Sequence, residues 1–369
     1  MLGTNITFTG VKGVGTVALE LQPDQRVYTL IGVNGVGKTK TLESLFQLLF
    51  FTQSFVRKLG LNSSQEILVS NEVKVSNLLL QSRPMSIIDF IPSRMLTGLG
   101  QQHELPIVFL VSQNRGFIQH YAKLIKSIGS FEKRRTNYLK RLYQGMKVSF
   151  SSTVMDSSVE EWFVSIAQSS NPYQKQEDNR EIEIETVLKL LHEIDSTIDA
   201  EFMEISGDDR VSLKIDGQKR ELSHLSTGFA SILKMIQAIV SGYGYFTNET
   251  QLQNVKGIVL IDEIESHLHL SWQAHIIPLL KRLFPNTTFY ITTHSSIVLS
   301  QLEEGEAYRL ERDDQGVVRT HLIKAPNKAA MVDVLKDAFG IDLNQMKLER
   351  MSAEQQQTAK QRLLSLINQ

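Results

Sequence analysis

The sequence predicts an α/β protein, in which helices cover a sheet that contains buried parallel strands. Three apolar runs carry this prediction, and each ends in a short polar segment that is followed by a helical pattern; they are Val27–Ile31, Lys256–Ile261 and Thr288–Thr292. Runs without a polar face are typical of parallel strands that are buried on both sides. Because the carboxyl ends of parallel strands meet at one edge of a sheet, we expect the three polar segments to lie together there.

Length and composition indicate an ordinary globular protein. The 369 residues allow one large domain or two smaller ones, and 41% hydrophobic and 21% charged residues are typical of soluble proteins. The net charge of -1 argues neither for nor against a nucleic-acid partner. The lack of cysteine excludes disulfides and thiol catalysis. Neither a leader-like N-terminus nor an apolar run long enough to span a membrane is present, so we expect a soluble, cytoplasmic protein without a membrane partner.

The turn after the first apolar run has the spacing G-x-x-x-x-G-K-T, from Gly32 to Thr39. A strand, a glycine-rich turn and a helix in this order are the context of a phosphate-binding P-loop. Glycines let backbone N–H groups surround phosphate oxygens, and the helix start adds its positive dipole end. We expect Lys38 to reach the β- and γ-phosphates of ATP and the Thr39 hydroxyl to ligate Mg²⁺. The predicted nucleotide-binding residues of this segment are Asn34, Gly35, Val36, Gly37, Lys38, Thr39 and Lys40.

Before residue 117, period-two alternation and apolar stripes predict the remaining elements. The glycine-rich stretch Gly10–Gly15 lacks the Lys-Thr ending, which favours a hairpin over a second phosphate loop. The expected elements are strands at Asn5–Thr9, Thr16–Leu21, Asn71–Ser82 and Leu105–Val111, and one helix from Thr39 to Lys58.

The stretch from Phe117 to Lys147 is predicted to be helical and is strongly basic. One acid, Glu132, accompanies eight basic residues: Lys123, Lys126, Lys133, Arg134, Arg135, Lys140, Arg141 and Lys147. Such a patch is able to bind nucleic-acid phosphates. A solvated helix face or a contact with an acidic partner protein also explains it, and these interpretations stay open.

The pattern of the second half of the chain predicts alternating helices and strands. Helices are expected at Val159–Ala167, Glu181–Ile198, Ser226–Ser241, Leu268–Phe284, Lys328–Phe339 and from Ser352 onward. Further strands are expected at Phe202–Ile205, Arg210–Ile215, Ala307–Glu311 and Val317–Ile323.

Two acids end the second apolar run and have the pattern of a Walker B motif. Asp262 is expected to hold Mg²⁺ opposite Thr39, and Glu263 to orient the attacking water. Glu265 is a weaker candidate, as a ligand of a second metal ion. His294 ends the third apolar run, so the sheet would bring it to the same edge, near the γ-phosphate.

As a set, these motifs resemble ABC-type ATPases. Leu225–Gly228 looks like their LSGG-type signature, Ser266–His269 occupies the place of their D-loop, and His294 that of their switch histidine. The run from Ile261 to Gln273 is similar to the OLD-like branch. That branch includes overcoming-lysogenization-defect nucleases and the ATPase subunits of antiphage systems of the Septu, retron-linked and PARIS types.

The resemblance implies an ABC-ATPase head with a mixed sheet flanked by helices. It divides the chain into an N-terminal lobe with Walker A at 1–116, a helical insertion at 117–200, a lobe with the signature, Walker B and switch histidine at 201–325, and a helical tail at 326–369. It also implies a homodimer or higher oligomer, in which ATP on one P-loop is covered by Ser226, Thr227 and Gly228 of another copy. Gln113 is the expected Q-loop residue, with Gln101 and Gln102 as rivals.

Three departures from known relatives shape the functional hypotheses. Phe229 stands where transporters often carry Gln or Glu, no Toprim-like acid cluster follows the ATPase, and the insertion is far shorter than a chromosome-condensation coiled coil. The first hypothesis is an ATPase sensor of an antiphage complex that controls a separate nuclease or toxin. The alternatives are a DNA-repair ATPase that binds DNA through Lys123–Lys147 and, ranked last, a transporter subunit.

Overall fold

The computed structural model describes residues 4–61, 67–75, 78–81, 103–113, 115–118, 128–148, 150 and 159–350. Its strands are β1 (Asn5–Val11), β2 (Gly15–Glu20), β3 (Val27–Ile31), β4 (Glu72–Val75), β5 (Leu78–Gln81), β6 (Ile107–Leu110), β7 (Ile198–Ile205), β8 (Val211–Ile215), β9 (Gln218–Glu221), β10 (Gly257–Ile261), β11 (Thr287–Thr292), β12 (Ala307–Arg312) and β13 (Val317–Leu322). Its helices are α1 (Lys38–Thr52), α2 (Ser54–Lys58), α3 (Phe131–Val148), α4 (Val159–Ser169), α5 (Glu181–Ile194), α6 (Thr227–Gly244), α7 (Leu270–Gln273), α8 (Ile276–Leu283), α9 (Ser296–Leu299), α10 (Met331–Phe339) and α11 (Leu343–Arg350).

In the described part of the chain, ten strands form one sheet in the order β5-β4-β1-β2-β13-β12-β3-β11-β10-β6. The five strands β12, β3, β11, β10 and β6 run parallel to one another, and β13 runs parallel to β2. The pairs β12–β13, β1–β2, β1–β4 and β4–β5 are antiparallel. The α/β class and the mixed sheet predicted from the sequence are confirmed. The parallel part places the ends of β3, β11, β10 and β6 side by side.

Apolar side chains cover both faces of the parallel strands. Ile258 and Leu260 of β10 pack in one core cluster with α1 residues such as Phe46, while Val259 and Ile261 pack in another with α6 residues such as Ile236. Alternate residues of one strand therefore face different cores. This explains why the sequence of β10 shows no polar face, as predicted.

Two helices predicted as continuous are each broken, and those predictions were wrong in this respect. The helix predicted over 39–58 divides at Gln53, which is extended and whose side chain accepts a hydrogen bond from the Phe55 N–H. The helix predicted over 268–284 divides after α7. Pro278 lies in the first turn of α8 and has no N–H to donate to the carbonyl of Ala274, so the helix restarts instead of continuing.

Other differences concern strand ends and helix starts. The single strand predicted over 71–82 is two antiparallel strands, with Glu72 opposite Gln81. Ile198, predicted as the last residue of a helix, begins β7, because the chain is already extended at Asp195. The predicted helix from Phe117 begins only at Phe131 in the described part of that segment. Strand β9 and helix α11 were not predicted, and the helix predicted from Ser352 lies outside the described residues.

In the parts of the chain that the structure describes, no helix is both long and apolar enough to cross a membrane. The division into four segments at 116, 200 and 325 stays a prediction.

Candidate nucleotide-binding site

The P-loop is a turn that connects β3 to α1, as the sequence predicted for Gly32–Thr39. Gly37 has a φ of 109°, which is left-handed, and a Cβ there would lie 2.7 Å from Val14 in the β1–β2 hairpin. A Cβ on Gly32 would likewise lie 2.7 Å from the carbonyl oxygen of Leu310. Glycine is therefore required at both positions by the close approach of neighbouring strands. Asn34 and Gly35 are exposed, whereas Val36 is buried.

Lys38 begins α1 and is 7% exposed. Its Nζ donates hydrogen bonds to the carbonyl oxygens of Gly32 at 2.9 Å and Val33 at 3.2 Å, so the side chain folds back over the loop. Burial lowers the pKa of Lys38, and the carboxylates of Asp262, Glu263 and Glu265 raise it in part. Lys40, two residues further on, pairs with Glu43 at 2.6 Å.

Thr39 and Asp262 meet across the sheet edge. The Thr39 Oγ1 lies 3.0 Å from both carboxylate oxygens of Asp262, which also accepts a hydrogen bond of 2.6 Å from the Thr292 hydroxyl. Burial raises the pKa of Asp262, and the two hydroxyl donors lower it in part. A hydroxyl and a carboxylate are the hard oxygen donors that Mg²⁺ prefers, so these residues fit that ion. The described residues contain no group of three or more acidic or histidine side chains able to hold a metal, so phosphate and water oxygens would complete its shell.

Glu263 has an unusual main-chain conformation, with a φ of 45°. Its N–H donates to the Thr292 hydroxyl at 2.8 Å, and its carboxylate accepts a hydrogen bond of 3.1 Å from Ser266. Its carbonyl oxygen accepts a hydrogen bond from the guanidinium of Arg115. The sequence pattern did not single out Arg115, since nothing in a sequence shows that one arginine after a strand is buried.

His294 follows β11 and is exposed at the same edge. Its backbone N–H donates to Glu265 Oε1 at 2.6 Å, and the neighbouring Thr293 hydroxyl donates to Glu265 Oε2 at 2.6 Å. Both oxygens of Glu265 are thus used to hold the end of β11. The sequence suggested a second metal for Glu265, whereas the observed contacts are those of a residue that orients the loop of His294.

The signature residues lie at the start of α6. Ser226 caps this helix, since its hydroxyl accepts a hydrogen bond of 3.4 Å from the Phe229 N–H. Ser226 and Thr227 are exposed, while Gly228 is buried against Trp272 of α7. Among the described residues, no hydrogen bond joins this turn to the P-loop. The structure therefore groups the signature with α7 rather than with Lys38 and Asp262.

Gln113 is exposed, three residues beyond the end of β6. Its position after a parallel strand is as predicted, whereas Gln101 and Gln102 lie outside the described residues. The choice of Gln113 as the residue that faces the nucleotide stays a prediction.

Known families and proteins share parts of this sequence. Residues 118–300 match the family model described as "AAA domain, putative AbiEii toxin, Type IV TA system", a span that holds the signature, Asp262 and His294. The Septu protein PtuA of Bacillus thuringiensis is 30% identical over 128 residues, which cover 32% of this chain and 32% of that protein. The "Retron Ec83 probable ATPase" of Escherichia coli is 38% identical over 104 residues, 27% of this chain and 19% of that protein. The chain thus spans about a third or less of the length of these curated relatives.

Solved structures give weaker likenesses over most of the chain. The Smc head bound to the C-winged helix domain of ScpA has a TM-score of 0.45 at 12% identity and covers 89% of this chain and 100% of that chain. The protein cbiO1 of Clostridium perfringens, part of the ABC transporter complex cbiONQ, has a TM-score of 0.41 at 12% identity. The match covers 95% of this chain and 100% of that chain.

The fold and the grouping of Lys38, Thr39 and Asp262 define an ATPase of the P-loop class. Within that class the chain resembles Septu PtuA and the retron ATPases, so the resemblance expected from the motifs is confirmed for these two systems. The likeness to PARIS-type and other OLD-like proteins stays a prediction.

Proposed function

We propose that this chain binds ATP with Mg²⁺ and hydrolyses it at the edge formed by β3, β10 and β11. One observation carries the proposal: the Thr39 hydroxyl lies 3.0 Å from both oxygens of Asp262, although the two residues are 223 positions apart in the chain. A P-loop hydroxyl and a Walker B aspartate in contact are the arrangement that phosphoryl transfer requires.

Each residue of the site has a role that its position supports. Bound Mg²⁺, held by Thr39 and Asp262, would neutralise charge on the phosphates. Lys38 exchanges its two carbonyl partners for phosphate oxygens, which compensate its buried charge better. Glu263 orients the attacking water, and His294, exposed on the neighbouring strand end, donates to the γ-phosphate.

The nucleotide is bound between two copies of the chain. Ser226 and Thr227 are exposed at the N-terminus of an 18-residue helix, and such a terminus attracts anions through its free N–H groups. Because this turn has no hydrogen bond to its own P-loop, a second copy is the natural source of the phosphate that it binds. ATP then favours the closed dimer, and hydrolysis releases it.

The biological role that we propose is that of the ATPase sensor in an antiphage defence complex. The matches to Septu PtuA and to retron ATPases support this role, because the motifs of this chain resemble the ATPase subunits of antiphage systems of those types. The dimer would act as a switch that controls a separate effector, a nuclease or a toxin.

The experiment is steady-state ATP hydrolysis together with nucleotide binding by the purified chain. Lys38→Ala should abolish binding, because no other buried cation lies on the loop.

Glu263→Gln should retain ATP binding but hydrolyse at least a hundredfold more slowly, since removal of one oriented group costs about that factor. Glu304→Gln and Lys324→Ala change exposed residues of the same types and should leave both quantities unchanged. Unchanged turnover in Glu263→Gln would remove that residue from the mechanism.

A second candidate function is DNA binding through α3, and the exposed charge of this helix favours it. Lys133, Lys140 and Lys147 are exposed at seven-residue intervals, while Leu139 and Leu142 are buried. Residues seven apart lie on nearly the same side of a helix, so the three lysines form one stripe.

A further inference from the structure

Among the described residues, Arg115 is the largest side chain that is completely buried, with 0% exposure. It follows β6, and its Nη2 donates a hydrogen bond to the carbonyl oxygen of Glu263, which follows the adjacent strand β10. The contact therefore links the ends of two neighbouring parallel strands at the edge where the nucleotide site lies.

The charge of Arg115 is balanced by the acids of the site. Burial lowers the pKa of Arg115 to about 10, and Asp262, Glu265 and Glu263 raise it in part, so the guanidinium stays charged at neutral pH. Among the described residues its Nε and Nη1 have no hydrogen-bond partner. A guanidinium with one hydrogen bond and two orphaned nitrogens contributes little to stability, because its desolvation is only partly offset. Stability alone therefore does not account for this arginine.

The group that Arg115 holds is strained. A φ of 45° at Glu263 lies in the left-handed region, which a residue with a Cβ adopts only when its surroundings enforce it. The N–H of Glu263 donates to the Thr292 hydroxyl, and its C=O accepts hydrogen bonds from Arg115 and, at 2.9 Å, from the Ser266 N–H. Both polar groups of the peptide backbone at this residue are thus fixed, and together they set the direction in which its carboxylate leaves the chain.

The residues after Arg115 pack on the same turn. A Cβ on Gly116 would lie 2.7 Å from the ring of His267, and the ring of Phe117 lies 5.9 Å from that of His267. His267 itself has a left-handed φ of 67°. Residues 115–117 therefore support the turn of 263–267 along its length.

We propose that Arg115 is a positioning residue for ATP hydrolysis, which fixes the main chain of Glu263 and so aims its carboxylate at the attacking water. The inference rests on the proposed role of Glu263. It predicts that loss of the guanidinium slows the chemical step while nucleotide binding persists, because Lys38, Thr39 and Asp262 remain in place.

The test compares Arg115→Met and Arg115→Lys in the full chain by kcat, KM, nucleotide affinity and thermal unfolding. Arg115→Met should lower kcat ten- to hundredfold, since a displacement of about 1 Å in a catalytic group costs up to that factor. KM and ATP affinity should change by less than about threefold, and the unfolding temperature should not fall, since a buried charge replaced by an apolar chain of similar length is often neutral or stabilising. Arg115→Lys keeps the charge and one donor and should recover part of kcat.

A double variant separates positioning from a structural role. If Arg115 acts through Glu263, then Arg115→Met in a Glu263→Gln background should cause no further loss of kcat. Arg134→Met is the matched control, because Arg134 is also buried but lies in α3. Unlike Arg115, it donates hydrogen bonds to two carbonyl oxygens, those of Gly129 and Glu177, so its loss should lower stability without changing the kcat of the folded protein.

The outcomes distinguish the two proposals. Wild-type kcat in Arg115→Met, or an equal loss in both Glu263 backgrounds, overturns the inference about Arg115. Wild-type kcat in Glu263→Gln removes Glu263 from the mechanism and overturns the inference that rests on it, whereas a lack of ATP hydrolysis by the unaltered chain overturns the proposed function itself.

Discussion

At the scale of single residues, Glu265 shows how contacts assign a role that a sequence leaves open. An acid three positions after a Walker B aspartate is able to bind a metal, to act as a base or to hold a neighbouring segment of the chain. In the structure its two oxygens accept hydrogen bonds of 2.6 Å from Thr293 and from the backbone of His294. Each bond to a carboxylate contributes about 1.5–3 kcal/mol. These contacts favour the third role.

Substitutions at Glu265 should separate these roles. Glu265→Gln retains an oxygen for the His294 N–H and an amide that is able to donate to the Thr293 hydroxyl, so we expect kcat to fall by less than about threefold. Glu265→Ala loses both bonds, and misplacement of His294 should lower kcat about tenfold, which corresponds to ~1.4 kcal/mol of barrier. Measured turnover that is equally low in both variants would instead indicate a metal ligand or a base.

At the scale of elements, helix α3 shows that a basic stretch of sequence contains both buried and exposed basic residues. Arg134 is 5% exposed and donates hydrogen bonds to the carbonyl oxygens of Gly129 and Glu177, and Arg135 lies 3.6 Å from the ring centre of Phe55. These arginines anchor the helix. Lys133, Lys140 and Lys147 are exposed, as is Arg141, whereas Arg134 is buried and Arg135 is half-buried. A charge count in the sequence does not separate the two groups, because burial depends on the packing partner.

If the stripe binds DNA, neutralising it should change the salt dependence of binding. Each phosphate contact contributes about 0.9 to the slope of log affinity against log salt on duplex DNA. The triple variant Lys133→Gln/Lys140→Gln/Lys147→Gln should therefore lower the slope by up to about 2.7, measured by titration at several salt concentrations. Arg134→Gln should leave the slope unchanged and lower thermal stability. A slope that the triple variant does not alter would exclude α3 as the binding face.

The sequence predicted the elements of the site better than their ends. Lys38, Asp262 and His294 were located correctly at the edge of the sheet, because apolar runs mark buried parallel strands and the next polar residues mark the ends of those strands. The breaks at Gln53 and Pro278 were missed, since the apolar stripe continues across both. Arg115 could not be found, because its role depends on the burial and the left-handed turn of Glu263, which only tertiary structure shows.

At the scale of the whole molecule, one sheet separates the two halves of the proposed composite site. The ends of β3, β10 and β11 bring together Lys38, Asp262 and His294 within one copy. Ser226 starts a different element and contacts α7 through its neighbour Gly228. A site completed by a second copy requires a symmetric pair, in which each copy contributes the P-loop of one site and the signature of the other.

Mixing two inactive variants should therefore restore activity. Lys38→Ala destroys the P-loop side of a site, and Ser226→Arg places a bulky cation at the signature side, so each variant alone should hydrolyse no ATP. In an equal mixture, half of the dimers contain one copy of each, and one of their two sites combines an intact P-loop with an intact signature. Steady-state hydrolysis should then return to about a quarter of the wild-type rate, if exchange is complete and the symmetric pair holds. Mixing Lys38→Ala with Glu263→Gln is the control: both residues belong to the same side of a site, so every site in that mixture carries a defect and no activity should return. A mixture of the first two variants that stays inactive, after exchange of subunits has been verified, would show that Ser226 does not act across a dimer.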